Sequence, residues 1–151
     1  MPQSLSVVYL HLVFSTKDRR PILCDPIIRG EMHAWLGGAS GELGCPSILV
    51  GGVEDHVHIL ARYGRTISQS DWVKELKRTS SIWIKEHDPQ AADFAWQAGY
   101  GVFSVSASNL EAVRDYVARQ EEHHKKWSFQ DEFRALLQKH GETWDERYVW
   151  D

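Results

Sequence analysis

Residues 47–53 (SILVGGV) and 56–62 (HVHILAR) are two short apolar runs separated only by Glu54-Asp55, and this spacing constrains the chain more than any other feature. Two strands joined by so tight a turn form a hairpin, so the chain must contain an antiparallel pair. The flanking segments decide what that hairpin joins. Residues 5–15 (LSVVYLHLVFS) are rich in β-branched and aromatic residues and predict a buried strand, broken by the basic loop Lys17-Asp18-Arg19-Arg20-Pro21. Asp25-Pro26 opens a helix, with Asp as cap and Pro at the first position, and predicts that it runs to about Leu36, before Gly37-Gly38. Ser68-x-x-Asp71 resembles a capping box for a second helix reaching about His87, where Asp88-Pro89 stops it. Phe103 to Ser106 alternates as a short strand. Ser108-x-x-Glu111 reads as a capping box for a helix reaching about Lys126, and Ser128 caps a last helix that ends near Gly141.

The order is therefore β-α-β-β-α-β followed by two further helices. That order predicts an α+β, ferredoxin-like (split βαβ, RRM-like) antiparallel sheet with helices on one face, plus a C-terminal helix. A chain of 151 residues, without internal repeats or a Pro- or Ser-rich linker, is expected to form one domain over residues 1–151. Composition excludes several classes. Hydrophobic residues at 42% and charged residues at 25% fit a folded globular protein, and no apolar run approaches the roughly 18 to 20 residues of a membrane span. The opening MPQSLSVVYLHLVF lacks a basic n-region and a small-residue cleavage site. With only two cysteines, Cys24 and Cys45, in no metal-binding or redox spacing, the chain is expected to be cytoplasmic, with no membrane partner. Its formal net charge of −4 means that any nucleic-acid contact must come from a local basic face.

Three segments carry chemistry. In His56-Val57-His58 both imidazoles point to one face of a strand, where they could reach a common metal ion. Two half-exposed strand histidines are the bland alternative, and a pair alone leaves a site incomplete. The segment Tyr116 to His124 places Tyr116 and Gln120 one turn apart on one helix face. His123-His124 is a rival ligand pair, but adjacent helical residues diverge by about 100° and do not easily share one metal. Lys74, Lys77 and Arg78 form a basic stripe at i, i+3, i+4, which with Lys17, Arg19 and Arg20 could hold a phosphate backbone or could simply be solvated. Trp72 and Trp83 could stack on bases or belong to the core. The aromatic and glycine mixture Phe94-x-Trp96-Gln97-x-Gly99-Tyr100-Gly101 predicts tight backbone geometry without a role.

Glu54-Asp55-His56-Val57-His58, the Lys77-x-x-Ser80-Ser81 helix, Phe94-x-Trp96-Gln97-x-Gly99-Tyr100, Phe103-Ser104-Val105-Ser106 and Tyr116-x-x-x-Gln120-Glu121-x-His123-His124 occur in this order from about residue 5 to residue 140. Together they resemble the IS200/IS605-like single-tyrosine (Y1) transposases of the HUH endonuclease superfamily. The resemblance implies that His56 and His58 are metal ligands, Gln120 the third ligand, and Tyr116 the nucleophile on a catalytic helix at 108–126. Two imidazoles and an amide oxygen leave open positions on an octahedral ion, which suits Mg²⁺ or Mn²⁺ better than a closed zinc site. The implied activity is metal-dependent cutting and rejoining of single-stranded DNA at element ends through a 5′-phosphotyrosine, with no nucleotide cofactor. The implied partners are DNA carrying a hairpin and a second copy of the chain in a homodimer. Lys17, Arg19, Arg20, Lys74, Lys77 and Arg78 are then candidate DNA-backbone contacts.

Two other readings make different predictions. A non-catalytic or domesticated DNA-hairpin-binding protein would bind DNA without cutting it, although it would have no reason to keep His56, His58, Tyr116 and Gln120 together. A nucleotide hydrolase of histidine-triad type would continue the alternation with a third His, and Leu60 stands there instead.

Overall fold

Alternate residues of β1 (Tyr9–Ser15) face opposite sides of a four-stranded sheet, and the two sides bury different chemistry. The computed structural model describes residues 2–151. After β1 come α1 (Pro26–Glu42), β2 (Ser47–Val53), β3 (His56–Arg62), α2 (Gln69–His87), β4 (Gly101–Val105), α3 (Leu110–Ala118), α4 (Gln120–His123) and α5 (Phe129–Lys139). The strand order is β2-β3-β1-β4 and each neighbouring pair is antiparallel. β1 and β2 therefore run parallel with β3 between them, which is the split βαβ arrangement of the expected α+β fold.

Leu10, Leu12 and Phe14 of β1 join Val57, Ile59 and Ala61 of β3 on one side, against Met32, Leu36, Trp72, Leu76 and Ile84 of α1 and α2. These side chains are essentially excluded from water, and each contributes roughly 1.5–3 kcal/mol of burial. Trp72 belongs to this core, with its indole N–H donating to Ser40 Oγ at 3.0 Å. On the other side, Val13 and Phe103 pack against Phe129, Phe133 and Leu137 of α5. His11, His56 and His58 share that second side, because β1 pairs with β3 in the register His11↔Leu60, Val13↔His58, Ser15↔His56. The later helices close the second side, so the sheet is covered on both faces.

Several boundaries differ from the sequence expectation: the first strand begins at Tyr9, with Leu5, Val7 and Val8 exposed before it, and the fourth runs Gly101–Val105 rather than Phe103 to Ser106. Helix α1 does not stop before Gly37-Gly38 but continues to Glu42. Gly37 is there for contact rather than termination: a Cβ on it would lie 2.9 Å from Ser47 Oγ of β2. Ser108 does not cap the third helix, which follows a 3₁₀ turn over Ala107–Asn109 and begins at Leu110 without a side-chain cap. The expected continuous helix over 108–126 is also broken at Arg119 (φ −103°, ψ 25°), giving α3 and the short α4. The caps at Asp25, Ser68 and Ser128 form as expected, each accepting a backbone N–H of its helix's first turn.

The aromatic and glycine segment before β4 acquires a role. Gln97 grips the end of β1 with both side chain and backbone, its Oε1 accepting from Ser15 N–H at 2.8 Å and its own N–H donating to Ser15 O at 2.9 Å. Trp96 donates its indole N–H to Ser80 Oγ at 2.9 Å. The segment thus extends the sheet edge irregularly and ties it to α2.

Candidate active site

The turn Glu54-Asp55 delivers His56 and His58 to the second side of the sheet, fully buried. Asp55 also orients the first of them: its Oδ1 lies 2.7 Å from His56 Nδ1, so Nδ1 carries the proton and Nε2 is turned inward. His58 Nδ1 stands 2.8 Å from Nε2 of the buried His11, leaving the Nε2 of His58 inward as well. Each inward imidazole is thus held from behind by a polar partner, the arrangement that fixes tautomer and ring direction in metal-binding histidines.

Helices α3 and α4 bring the other expected residues to the same place. Gly51 of β2 permits it, because a Cβ there would lie 2.4 Å from Val117 O. Gln120 is buried, with Oε1 at 3.2 Å from His56 Nε2, and its Nε2 donates to Tyr116 O at 3.3 Å. That second bond sets the amide so that its oxygen faces the imidazole. Tyr116 is half-buried, its ring 5.8 Å from that of His58 between centroids. His56, His58, Tyr116 and Gln120 therefore meet within a single chain.

The sequence reading missed the residue at the centre. Glu132 of α5 is buried, and its two oxygens divide the site. Oε1 lies 2.9 Å from His58 Nε2, 3.2 Å from His56 Nε2 and 3.1 Å from His124 Nε2. Oε2 accepts the Tyr116 hydroxyl hydrogen bond and lies 3.3 Å from His123 Nε2. One carboxylate thus connects the tyrosine to the imidazoles. Asp131 and Glu132 look in sequence like ordinary acids in a helix's first turn, and only the packing of α5 singles out Glu132.

The charges respond accordingly. Burial alone would raise the Glu132 carboxyl pKa, but His58, His124 and His56 outweigh it and hold Glu132 far below the usual carboxylate range. Burial pulls His56 down, yet Asp55 and Glu132 prevail and push it up to about 9. Burial lowers His58 and His11, and burial and Glu132 together raise Tyr116 above an ordinary phenol. The cluster accommodates positive charge among the imidazoles and disfavours an early phenolate.

His56, His58, His124 and Glu132 can offer ligand atoms that all lie within 4.8 Å of one another. The donor set suits a divalent ion. Ligand atoms bound at about 2.1 Å and at right angles stand about 3 Å apart, close to the spacings measured around Glu132 Oε1. A buried, unpartnered atom points the same way. His124 Nδ1 must donate to Trp127 O, 2.6 Å away, because a carbonyl only accepts. Its Nε2 lies near Glu132 but is misaligned for a hydrogen bond, and so is left buried without a partner.

The expected basic contacts fare unequally. Lys77 departs from the reading as a free phosphate contact: its ammonium already donates to the carbonyls of Gln97, Ala98 and Gly99 at 2.8, 3.3 and 2.6 Å, over the rings of Phe14 and Tyr100. Arg78 is bound to Glu75 of its own helix, Arg20 pairs with Asp93, and Arg19 lies over the Trp150 ring. Lys17 and Lys74 make no ion pair among the described residues. Lys74, Lys77 and Arg78 line a groove on the α2 layer, across the sheet from Tyr116. Closer to the tyrosine, Arg119, Lys125 and Lys126 surround the opening onto which Tyr116 and His123 face. On the other flank of Tyr116 lies a largely apolar cavity of about 420 Å³ with Phe103, Trp127 and His140 in its walls.

An imidazole pair on an inner strand, met by a helical tyrosine and carboxylate, makes a class of site that sets candidate metal-ligand atoms beside a side-chain hydroxyl. Comparison with known proteins gives that class a family. The sequence matches the profile of the IS200-like transposases over residues 4–120, and the chain belongs to that family. Its fold is similar to that of a protein from Deinococcus radiodurans R1 provisionally assigned as a transposase (TM-score 0.63, 22% identity, covering 80% of this chain and 95% of that one). It is also similar to a REP-associated tyrosine transposase bound to a REP hairpin (TM-score 0.59, 12% identity, covering 85% of this chain and 74% of that one). No curated protein matches the chain in sequence. No helix among the described residues is long and apolar enough to cross a membrane.

Proposed function

We propose that this IS200-like transposase cuts and rejoins single-stranded DNA through a covalent link to Tyr116, in a divalent-metal-dependent reaction. The observation that carries the reading is the convergence of Tyr116, His56, His58 and Gln120 of one chain around the Glu132 carboxylate. Tyr116 Oη forms the new bond to phosphorus, and the bond from phosphorus to the 3′-oxygen breaks. The products are a 5′-phosphotyrosine and a DNA end that leaves as a 3′-hydroxyl. A 3′-hydroxyl from another cleaved end reverses the step, so strands are exchanged rather than hydrolysed and no nucleotide cofactor is needed.

The raised pKa of Tyr116 means that its proton leaves as the oxygen attacks; Glu132 Oε2, which already accepts that hydroxyl's hydrogen bond, orients it, and because the imidazoles keep Glu132 a weak base the proton passes on to the departing 3′-oxygen. His56, His58 and Gln120 would hold the ion, Mg²⁺ or Mn²⁺, whose contribution when bound is to polarise the scissile phosphate and offset its developing charge. Asp55 and His11 keep the two imidazoles facing inward. Arg119, Lys125 and Lys126 are suited to the phosphates beside the tyrosine, with Lys17, Arg19, Arg20, Lys74 and Arg78 as further contacts along a longer strand. The DNA substrate carries a hairpin in this reading, as it does in the structural relative bound to one. A homodimer would bring two DNA ends together, with each site built from its own chain's tyrosine.

The test uses labelled single strands from both sides of the gene, incubated with Mg²⁺, Mn²⁺ or EDTA and run on a denaturing gel. A metal-dependent band at protein-plus-DNA mass, absent from Tyr116→Phe and His56→Ala, supports the reading. Hairpin binding with no adduct in any metal replaces it with a non-catalytic hairpin binder.

A further inference from the structure

The matched family segment ends at Gln120, yet the inward-facing donors do not. His124 and Glu132 come from the part of the chain beyond it. We infer that His124 and Glu132 are ligands of the site's ion, completing a set of three imidazoles, one carboxylate and the Gln120 amide that takes a first-row transition-metal dication in preference to Mg²⁺. The inference rests on the metal-dependent reading above and deepens it.

Two features of the site point to it. The first is His124. Its Nδ1–H is held by the Trp127 carbonyl, so in the singly protonated ring the bare Nε2 faces the Glu132 carboxylate at 3.1 Å. That approach is favourable only with a cation between the two atoms, either a metal ion or a second proton on the ring, and the EPR count below separates the two. The second is the crowding of Glu132 Oε1, which has three imidazole Nε2 atoms at 2.9, 3.1 and 3.2 Å. His56 cannot turn its Nδ1–H inward, because Asp55 engages that proton. Four donor atoms converging at about 3 Å, each ring anchored from behind, form the first coordination layer of a metal site together with its supporting hydrogen bonds.

Only one of the two adjacent histidines, His124, joins this convergence. Adjacent helical residues diverge by about 100°. Here α4 is a single turn and His124 is the residue that terminates it (φ −82°, ψ 3°). Its ring joins His56, at 4.4 Å between centroids, while His123 turns to Tyr116 at 5.4 Å. The ion preference follows from the donor atoms. Mg²⁺ takes oxygen ligands and keeps its waters, whereas imidazole-rich sets favour first-row transition ions.

The experiment uses the full chain, stripped with EDTA, without DNA. Calorimetric titration with Mn²⁺ and with Mg²⁺ is expected to give at least about 100-fold tighter binding of Mn²⁺. Pulsed EPR of bound Mn²⁺ is expected to count three imidazole nitrogens in the wild type and two in His124→Asn. Glu132→Gln is expected to weaken Mn²⁺ binding by about 10- to 100-fold. The EPR count on the wild type does not depend on any variant folding. Two nitrogens in the wild type, or equal affinity for Mg²⁺, overturns the inference while leaving tyrosine-based cleavage untouched. Absence of any ion binding overturns both the inference and the metal dependence on which it rests.

Discussion

Gly51→Ala is the substitution that most directly probes how the fold places the nucleophile. A Cβ at this position would stand 2.4 Å from Val117 O, 3.0 Å from Val117 Cγ1 and 3.2 Å from the Val117 carbonyl carbon. Ordinary contact begins near 3.4 Å, so the end of α3 must retreat from β2 by about 1 Å. Val117 follows Tyr116 directly and precedes Gln120 by three residues, so both site residues move with it. Overpacking of this kind costs about 1–3 kcal/mol. In a chain of this size each kcal/mol lowers the melting temperature by roughly 2–4 °C. A displacement of about 1 Å at the reacting group lowers the rate by about 100-fold. The expected outcome is therefore a variant that melts several degrees lower and forms the DNA adduct about two orders of magnitude more slowly. Gly38→Ala is the control: Gly38 is exposed in the interior of α1 with nothing within 4 Å of its added carbon. That change should stabilise the chain by about 0.5–1 kcal/mol and leave adduct formation alone. Thermal melting and single-turnover adduct assays on both variants decide the matter. Wild-type melting and a wild-type rate in Gly51→Ala would refute the claim that this contact holds Tyr116 in place.

Other expectations concern the residues around the site. His33 is half-buried, with a buried and unpartnered Nε2, and burial and then Arg29 lower its pKa to about 4. The unfolded chain therefore binds the extra proton first. Stability is lost as pH falls from about 6.5 towards 4, and His33→Gln should remove about 1–2 kcal/mol of the difference between urea unfolding at pH 7 and pH 5. Identical pH slopes for variant and wild type would contradict it. Lys77→Met removes the donor that three carbonyls of residues 97–99 share, and should destabilise the chain by about 1–3 kcal/mol with faster amide exchange in the 97–100 segment. A change confined to DNA affinity would instead return Lys77 to the role of phosphate contact. Asp55→Asn weakens the partner that orients His56 and should lower Mn²⁺ affinity by about 10- to 100-fold, read by calorimetry.

Features of the fold and site that local rules govern are legible in the sequence. The period of two along His56-Val57-His58 placed both imidazoles on one face. Ser68 and Ser128 marked helix starts, because a side-chain oxygen there satisfies a backbone N–H that the helix leaves free. Tyr116 and Gln120, one turn apart, do face the imidazoles, although the helix breaks between them. What was not legible depends on contacts between distant segments. Gly37 reads as a helix stop, but its lack of a side chain serves the approach of α1 to Ser47. His123 and His124 do diverge, as adjacent helical residues should, but that His124 meets His56 and Glu132 while His123 meets Tyr116 depends on how α4 and α5 pack. Glu132 lies 74 residues from His58 in the chain and reaches it only because Phe129, Phe133 and Leu137 seat α5 on the sheet. Lys77 reads as one of three surface cations because the backbone carbonyls that enclose it belong to a segment with no predicted structure.

The central claim is that Tyr116 becomes covalently attached to DNA, and mass spectrometry of the adduct tests it most directly. The protein would be reacted with a hairpin-bearing single strand in Mn²⁺, digested with nuclease and protease, and its peptides sequenced. A nucleotide joined through its 5′-phosphate to the peptide carrying Tyr116, and to no other residue, is the predicted result. A nucleotide on a histidine or on a different tyrosine, or cleaved DNA with no protein-bound nucleotide at all, would contradict the account.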